Sequence, residues 1–93
     1  MNAARVLLLD DDERLSDMLA TYLRSRGFVV EQRFDATTGL AALAASAFDL
    51  LVLDVMLPDL DGFEVLKRLR KTPDLPVLML TARGEDTDRI VGL

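Results

Sequence analysis

The sequence predicts an α/β domain built on an open parallel sheet, and three observations carry that prediction. Short, nearly continuous apolar runs recur along the chain, as strands buried on both faces require. Between them, apolar residues return at helical spacing. Three of the four runs end in a polar residue of definite chemistry, which places a candidate site at one edge of the sheet.

Taken in order, Arg5-Val-Leu-Leu-Leu9 reads as the first strand, followed at once by Asp10, Asp11 and Asp12. From Glu13 the period changes. Leu15, Met18, Leu19, Tyr22 and Leu23 form one stripe, so Tyr22 is expected in the core, and Gly27 is placed to end the helix. Arg24 and Arg26 suit its C-terminal end, where the macrodipole favours positive charge. Phe28-Val-Val-Glu31 is a second short strand. Asp35 is a candidate N-cap for a helix through Ala45 that packs on Leu40, Ala41, Leu43 and Ala44, its many alanines implying close approach to a neighbour.

Leu50 to Leu53 is the central strand, ending in Asp54 and a Pro/Asp/Gly-rich turn that cannot continue it. Phe63, Val65, Leu66 and Leu69 mark a third helix, with Lys67, Arg68, Arg70 and Lys71 on its outer side and C-terminal end; Pro73 and Pro76 stop it. Pro76 to Leu80 is a fourth strand, ending in Thr81. Arg83-Gly-Glu-Asp is then a loop, and a further helix is expected from Thr87. Alternation of strand and helix calls for right-handed crossovers with both sheet faces covered. No repeat or linker divides the chain, so residues 1–93 are expected to form one domain.

Composition narrows the function. The net charge of −5 disfavours non-specific contact with nucleic acid or an anionic membrane. The chain has no cysteine and no histidine, which excludes disulfides, Cys/His zinc sites and any histidine-based triad. It shows no secretory segment and no apolar run near the ~18 residues a membrane span needs. The expectation is a protein of the cytoplasm.

Parallel strands bring Asp10, Asp11, Asp54 and Thr81 to one rim. Carboxylates gathered there repel, so either one takes up a proton or a hard divalent cation sits between them; Mg²⁺ suits one or two carboxylates plus water. An ionised Asp in such a cluster can attack phosphorus and form an aspartyl phosphate. The Thr81 hydroxyl is positioned to bond an oxygen of the transferring group.

These features together resemble the receiver domain of two-component response regulators, with a flavodoxin-like fold. The resemblance rests on Leu-Leu-Leu-Asp-Asp-Asp at the first strand end, Asp-Leu-Leu-Val-Leu-Asp-Val-Met-Leu-Pro-Asp-Leu-Asp-Gly at the third, and Pro-Val-Leu-Met-Leu-Thr-Ala at the fourth. The stretch from Thr81 to Leu93 is similar to the subfamily with a C-terminal winged-helix DNA-binding domain. The resemblance implies strand order 2-1-3-4(-5) and Asp54 as the phospho-acceptor, fed by a sensor histidine kinase. It implies Mg²⁺ held by Asp10, Asp11, Asp54 and the Met56 backbone carbonyl, with Asp11 the more direct ligand of the first pair. Thr81 matches the switch hydroxyl, Ala82 the small residue beside the phosphate, and Pro58 and Gly62 the positions shaping the turn. Such a protein assists its own phosphorylation and dephosphorylation without being a turnover enzyme. Its output is transcription regulation, and it contacts DNA only through the attached domain.

Against the family pattern, the 93 residues show no fifth parallel strand with its lysine, no switch aromatic and no final helix. Lys67 and Lys71 lie on the third helix, away from the rim. The expectation is therefore a C-terminally incomplete receiver whose fourth strand is an open edge, and which is either poorly stable or completed by another chain, as in a homodimer formed by strand or helix exchange. Two other readings compete: a truncated or pseudo-receiver acting only as a protein-interaction module, and a small aspartyl phosphohydrolase. The latter lacks its second acid, since Met56 stands two residues after Asp54. Blander assignments apply to the remaining acids. Asp12 is expected to face solvent in the first helical turn, and Asp59 and Asp61 to serve the turn and the third helix's N-terminus. Capping of the first helix by Asp10 and Asp11 is compatible with metal binding.

Overall fold

The computed structural model describes residues 3–69, 74–84 and 87–92, with residues beyond 80 described as backbone. Its elements run β1 (Arg5–Leu9), α1 (Glu13–Ser25), β2 (Val29–Arg33), α2 (Ala36–Ala45), β3 (Leu50–Asp54), α3 (Gly62–Leu69), β4 (Val77–Gly84) and β5 (Thr87–Gly92). They form one sheet of order β2-β1-β3-β4-β5. The first four strands are parallel, as the α/β alternation requires: β1 pairs with β2 and β3, and β3 pairs with β4. No helix among the described residues is long and apolar enough to cross a membrane.

The period of two along each strand divides the core between the two faces. Leu7, Leu9, Leu51, Leu53, Val77 and Met79 face α2 and α3, where Ala36, Ala42, Val65 and Leu69 complete a buried cluster. Val6, Leu8, Val30 and Val52 face the other way, under Ala20, Leu19 and Leu23 of α1. Double cover explains why the inner strands β1 and β3 read as continuous apolar runs and not as an alternation, whereas β2, at the sheet edge, is apolar only at Val29 and Val30.

Helix ends follow from side-chain chemistry. Asp12, not Asp10 or Asp11, is the N-cap of α1, accepting from the Leu15 amide at 3.1 Å. Past Arg26, Gly27 takes a left-handed φ of 96°, a conformation costly to any residue with a Cβ. Asp35 caps α2 through the Thr38 amide at 2.8 Å, and Asp61 accepts from the Glu64 amide at 2.9 Å in the first turn of α3.

Three expectations need correction. Met18 and Tyr22 are 68% and 59% exposed; α1 buries the small residues Ser16 and Ala20 instead, so its contact with the sheet is close and the large side chains lie to the side. On α2 the packed residues are Ala36, Gly39 and Ala42 with Leu40 and Leu43 beside them, while Ala41 and Ala44 are exposed. The close approach inferred from the alanines is real and centres on Gly39, where a Cβ would come within 2.6 Å of the Leu9 side chain.

The third correction concerns the last strand. No helix starts at Thr87, and β4 does not stop at Leu80 to present an open edge. The chain extends to Gly84 and returns as β5, antiparallel to β4, with Leu78 opposite Gly92 and Leu80 opposite Ile90. Thr87, Ile90 and Val91 are β-branched, and pairing satisfies backbone groups that β4 would otherwise present to solvent. The edge that strand exchange was expected to complete is thus filled from within the same chain. A parallel fifth strand is absent among the described residues. Pro73 and Lys71 lie outside them.

Candidate functional site: an acidic rim beyond the strand ends

β1 and β3 are neighbours in parallel register, with Leu9 beside Leu53. The residues that follow them therefore leave the sheet side by side. Asp10 is only 3% exposed. Its backbone N–H donates to the Arg33 carbonyl of β2 at 3.1 Å, and its Oδ1 accepts from the Asp12 amide at 2.9 Å. Asp54 ends β3 half-buried, and its Oδ1 accepts from the Met56 amide at 3.1 Å. Asp11 is exposed. Each of Asp10, Asp11 and Asp54 offers a carboxylate oxygen, and the three oxygens lie within 4.8 Å of one another. They floor an open depression of about 260 Å³ whose walls include Asp12, Leu15, Met56 and Leu80.

Electrostatics at this rim are unfavourable for three negative charges. Burial, opposed by the Met56 amide and reinforced by the charge of Asp10, pushes the Asp54 carboxyl up from 3.8 to about 6. Burial likewise raises Asp10 above its ordinary value, against the Asp12 amide. Asp10 and Asp54 act as a pair that takes its first proton readily, because two nearby carboxylates cannot both ionise without cost. The described side chains that line the depression include no cation. An all-oxygen donor set with excess negative charge fits a hard divalent ion and does not fit a soft one.

The other residues singled out in the sequence fall as follows. Met56 is 48% exposed and meets Asp54 through its backbone, so its side chain is incidental. Thr81 and Ala82 lie in β4, and Thr81 follows Leu80, the register partner of Asp54, at the same rim; the threonine hydroxyl lies outside what is described. Pro58 is exposed. The Gly62 N–H donates to the Val55 carbonyl at 2.7 Å, and a Cβ at Gly62 would lie 2.7 Å from Val55 Cα and 2.8 Å from the Asp54 carbonyl oxygen. That turn closes only with glycine. Lys67 is engaged on α3, its Nζ 4.0 Å from Glu64.

One residue has a role that sequence reading did not assign. Asp59, expected to serve its own turn or α3, reaches the N-terminus of α2. It accepts from the Ala36 amide at 2.8 Å, the Thr37 amide at 3.0 Å and the Thr37 hydroxyl at 2.7 Å. Its partners lie more than twenty positions upstream, and no local pattern announces such a pairing.

Comparison with known proteins agrees with this geometry. A parallel sheet of order 2-1-3-4 with acids beyond β1 and β3 defines a class of α/β proteins with a cation-suited rim. Within that class, the chain belongs to the response regulator receiver domain family, whose model matches residues 6–93. It is 48% identical over 89 residues to the regulatory protein VanRc of Enterococcus gallinarum, covering 96% of this chain and 38% of that protein. It is 49% identical over 92 residues to the CpxR homologue of Haemophilus influenzae, a transcriptional regulatory protein, covering 97% and 39%. The chain thus spans well under half the length of these relatives. Among solved structures, the response regulator TrrA of Thermotoga maritima in complex with Mg(2+)-BeF superposes with a TM-score of 0.83 at 27% identity, over 87% of this chain and 71% of that one. The non-phosphorylated HemR receiver domain of Leptospira biflexa gives a TM-score of 0.80 at 38% identity, over 86% and 65%.

Proposed function

We propose that this chain is the phospho-accepting part of a two-component switch, with Asp54 as the acceptor. The observation that carries the reading is the meeting of three carboxylate oxygens within 4.8 Å at the rim, one of them on a half-buried Asp54 held by the Met56 amide. Asp10, Asp11 and Asp54, with the Met56 carbonyl, would hold Mg²⁺. The bound ion supplies positive charge against the oxygens of the transferring phosphoryl group.

The remaining chemistry belongs to the protein. The Met56 amide holds Oδ1 of Asp54 and so orients the carboxylate, whose Oδ2 would attack phosphorus. An O–P bond forms as the P–N bond to the phosphohistidine of a sensor kinase breaks, and the imidazole departs. Buried Asp10 cannot turn away, because its backbone is tied to β2 and its carboxylate to the Asp12 amide. Thr81, following the strand residue paired with Asp54, would offer its hydroxyl to a phosphoryl oxygen. The added charge then biases the segment around Thr81 between two arrangements. In a longer protein, the output would be transcription control through a DNA-binding domain, in the cytoplasm.

Intact-mass measurement after incubation with acetyl phosphate and Mg²⁺ tests the proposal. The wild-type chain is expected to gain one phosphoryl mass and Asp54→Asn none. Equal labelling of the two overturns the assignment.

A second reading, an interaction module that does not signal, draws support from β5, which occupies the edge of β4 in antiparallel fashion. If Mg²⁺ and beryllofluoride together leave the amide spectrum around Thr81 unchanged, this second reading replaces the first.

A further inference from the structure

We infer that Asp59 is a positioning residue for the acceptor: it clamps the loop after β3 to the first turn of α2, and so fixes the backbone that orients Asp54. The inference rests on the reading of Asp54 as acceptor.

α2 is a firm anchor. Gly39 lets it sit directly on Leu9 of β1, and Ala36 is fully buried. Its own flanking acid, Asp35, takes the Thr38 amide and hydroxyl at 2.8 and 2.7 Å. That leaves the Ala36 and Thr37 amides, which no residue of the helix can satisfy. Asp59 takes both, together with the Thr37 hydroxyl, so two carboxylate oxygens meet three donors. These donors, the Thr37 hydroxyl foremost, hold its carboxyl down near 2, so it is charged whenever the protein is folded near neutrality.

The loop between Asp54 and Gly62 gains most from this clamp. It starts at the Met56 amide on Asp54 Oδ1, buries Leu57, and ends where the Gly62 amide returns to the Val55 carbonyl. Met56 itself is half-exposed and has no apolar burial to hold it. Asp59 is the charged tie between this loop and a different element. Three donors also explain the carboxylate: an asparagine has one acceptor oxygen and would turn an N–H₂ toward a donor.

Native-state amide exchange on the metal-free chain tests the clamp without recourse to phosphorylation. In Asp59→Ala, exchange at Ala36, Thr37 and Met56 is expected to rise about tenfold, with Leu7 and Leu53 in the sheet much less affected. Faster exchange at Ala36 and Thr37 with Met56 unchanged makes Asp59 a helix cap only and overturns the inference. If Asp59→Ala does not fold, Thr37→Val is read the same way, since it removes only the hydroxyl; a smaller rise at Met56 supports the clamp, and none overturns it. In parallel, the initial rate of phosphoryl incorporation from acetyl phosphate at saturating Mg²⁺ is expected to fall about tenfold in Asp59→Ala. A wild-type chain that incorporates nothing refutes the acceptor reading alone, because the Met56 exchange still decides the clamp.

Discussion

Asp54, at the end of β3, and Asp59, in the loop that follows, stand five positions apart, and their surroundings treat a negative charge in opposite ways. Asp54 is half-buried beside Asp10 and Asp11, with one amide to bond, and its carboxyl is pushed up to about 6. Asp59 is exposed but meets three donors, and its carboxyl is held down near 2. Burial offset by a single donor destabilises a charge, whereas several donors on an exposed helix end stabilise it. The rim is thus unfavourable until a cation arrives, and the clamp is satisfied without one.

The strongest test of this contrast is Gly62→Ala, which forces a Cβ into the backbone where the two regions join. It is expected to destabilise the chain by about 2–3 kcal/mol in urea unfolding and to disturb both rim and clamp. A smaller effect, of opposite sign for the two acids, is expected from single neutralisations in EDTA near pH 7.5. Asp54→Asn should raise stability by on the order of 1–2 kcal/mol, after allowance for solvent screening, because it removes an unfavourable charge. Asp59→Asn should lower the melting temperature. Losses of stability in both variants would break the comparison.

The pH profile sharpens it further. The folded-state pKa of Asp54 is raised, so in the metal-free protein its ionisation costs stability as pH climbs from 3.8 to about 6; Asp10 contributes in the same direction. The folded-state pKa of Asp59 is lowered, so its contribution is complete above 3.8 and is lost as pH falls through about 2. Thermal melts in EDTA should show the decline toward neutrality, and millimolar Mg²⁺ should abolish it by linkage. The least effect is expected from Glu64→Gln on α3, whose pairs with Lys67 and Arg68 at 4.0 and 3.6 Å are exposed. Unfolding should shift by less than about 0.5 kcal/mol.

Much of this was legible in the chain. The apolar runs gave β1 and β3 almost to the residue, and Asp35 and Asp61 announced the helices they cap. Asp10, Asp11 and Asp54 could be gathered from topology alone, since parallel strands deliver their C-terminal ends to one edge. Tyr22 is exposed, against its place in the apolar stripe, because a stripe of large residues does not reveal that Ser16 and Ala20 make the closer contact. Thr87-Asp-Arg-Ile-Val forms a strand and not a helix because β4 lies beside it, and no local signal says so.

The sequence by itself determined the order of elements through β4 and the acids that end β1 and β3, because burial periodicity and strand-end chemistry are local properties; the sheet order β2-β1-β3-β4 followed from resemblance to a family. Tertiary structure alone decided that Asp59 would clamp α2 and that residues 87–92 would pair with β4. Both depend on donors and backbone edges presented by segments distant in the chain, which exist as partners only once the sheet has formed.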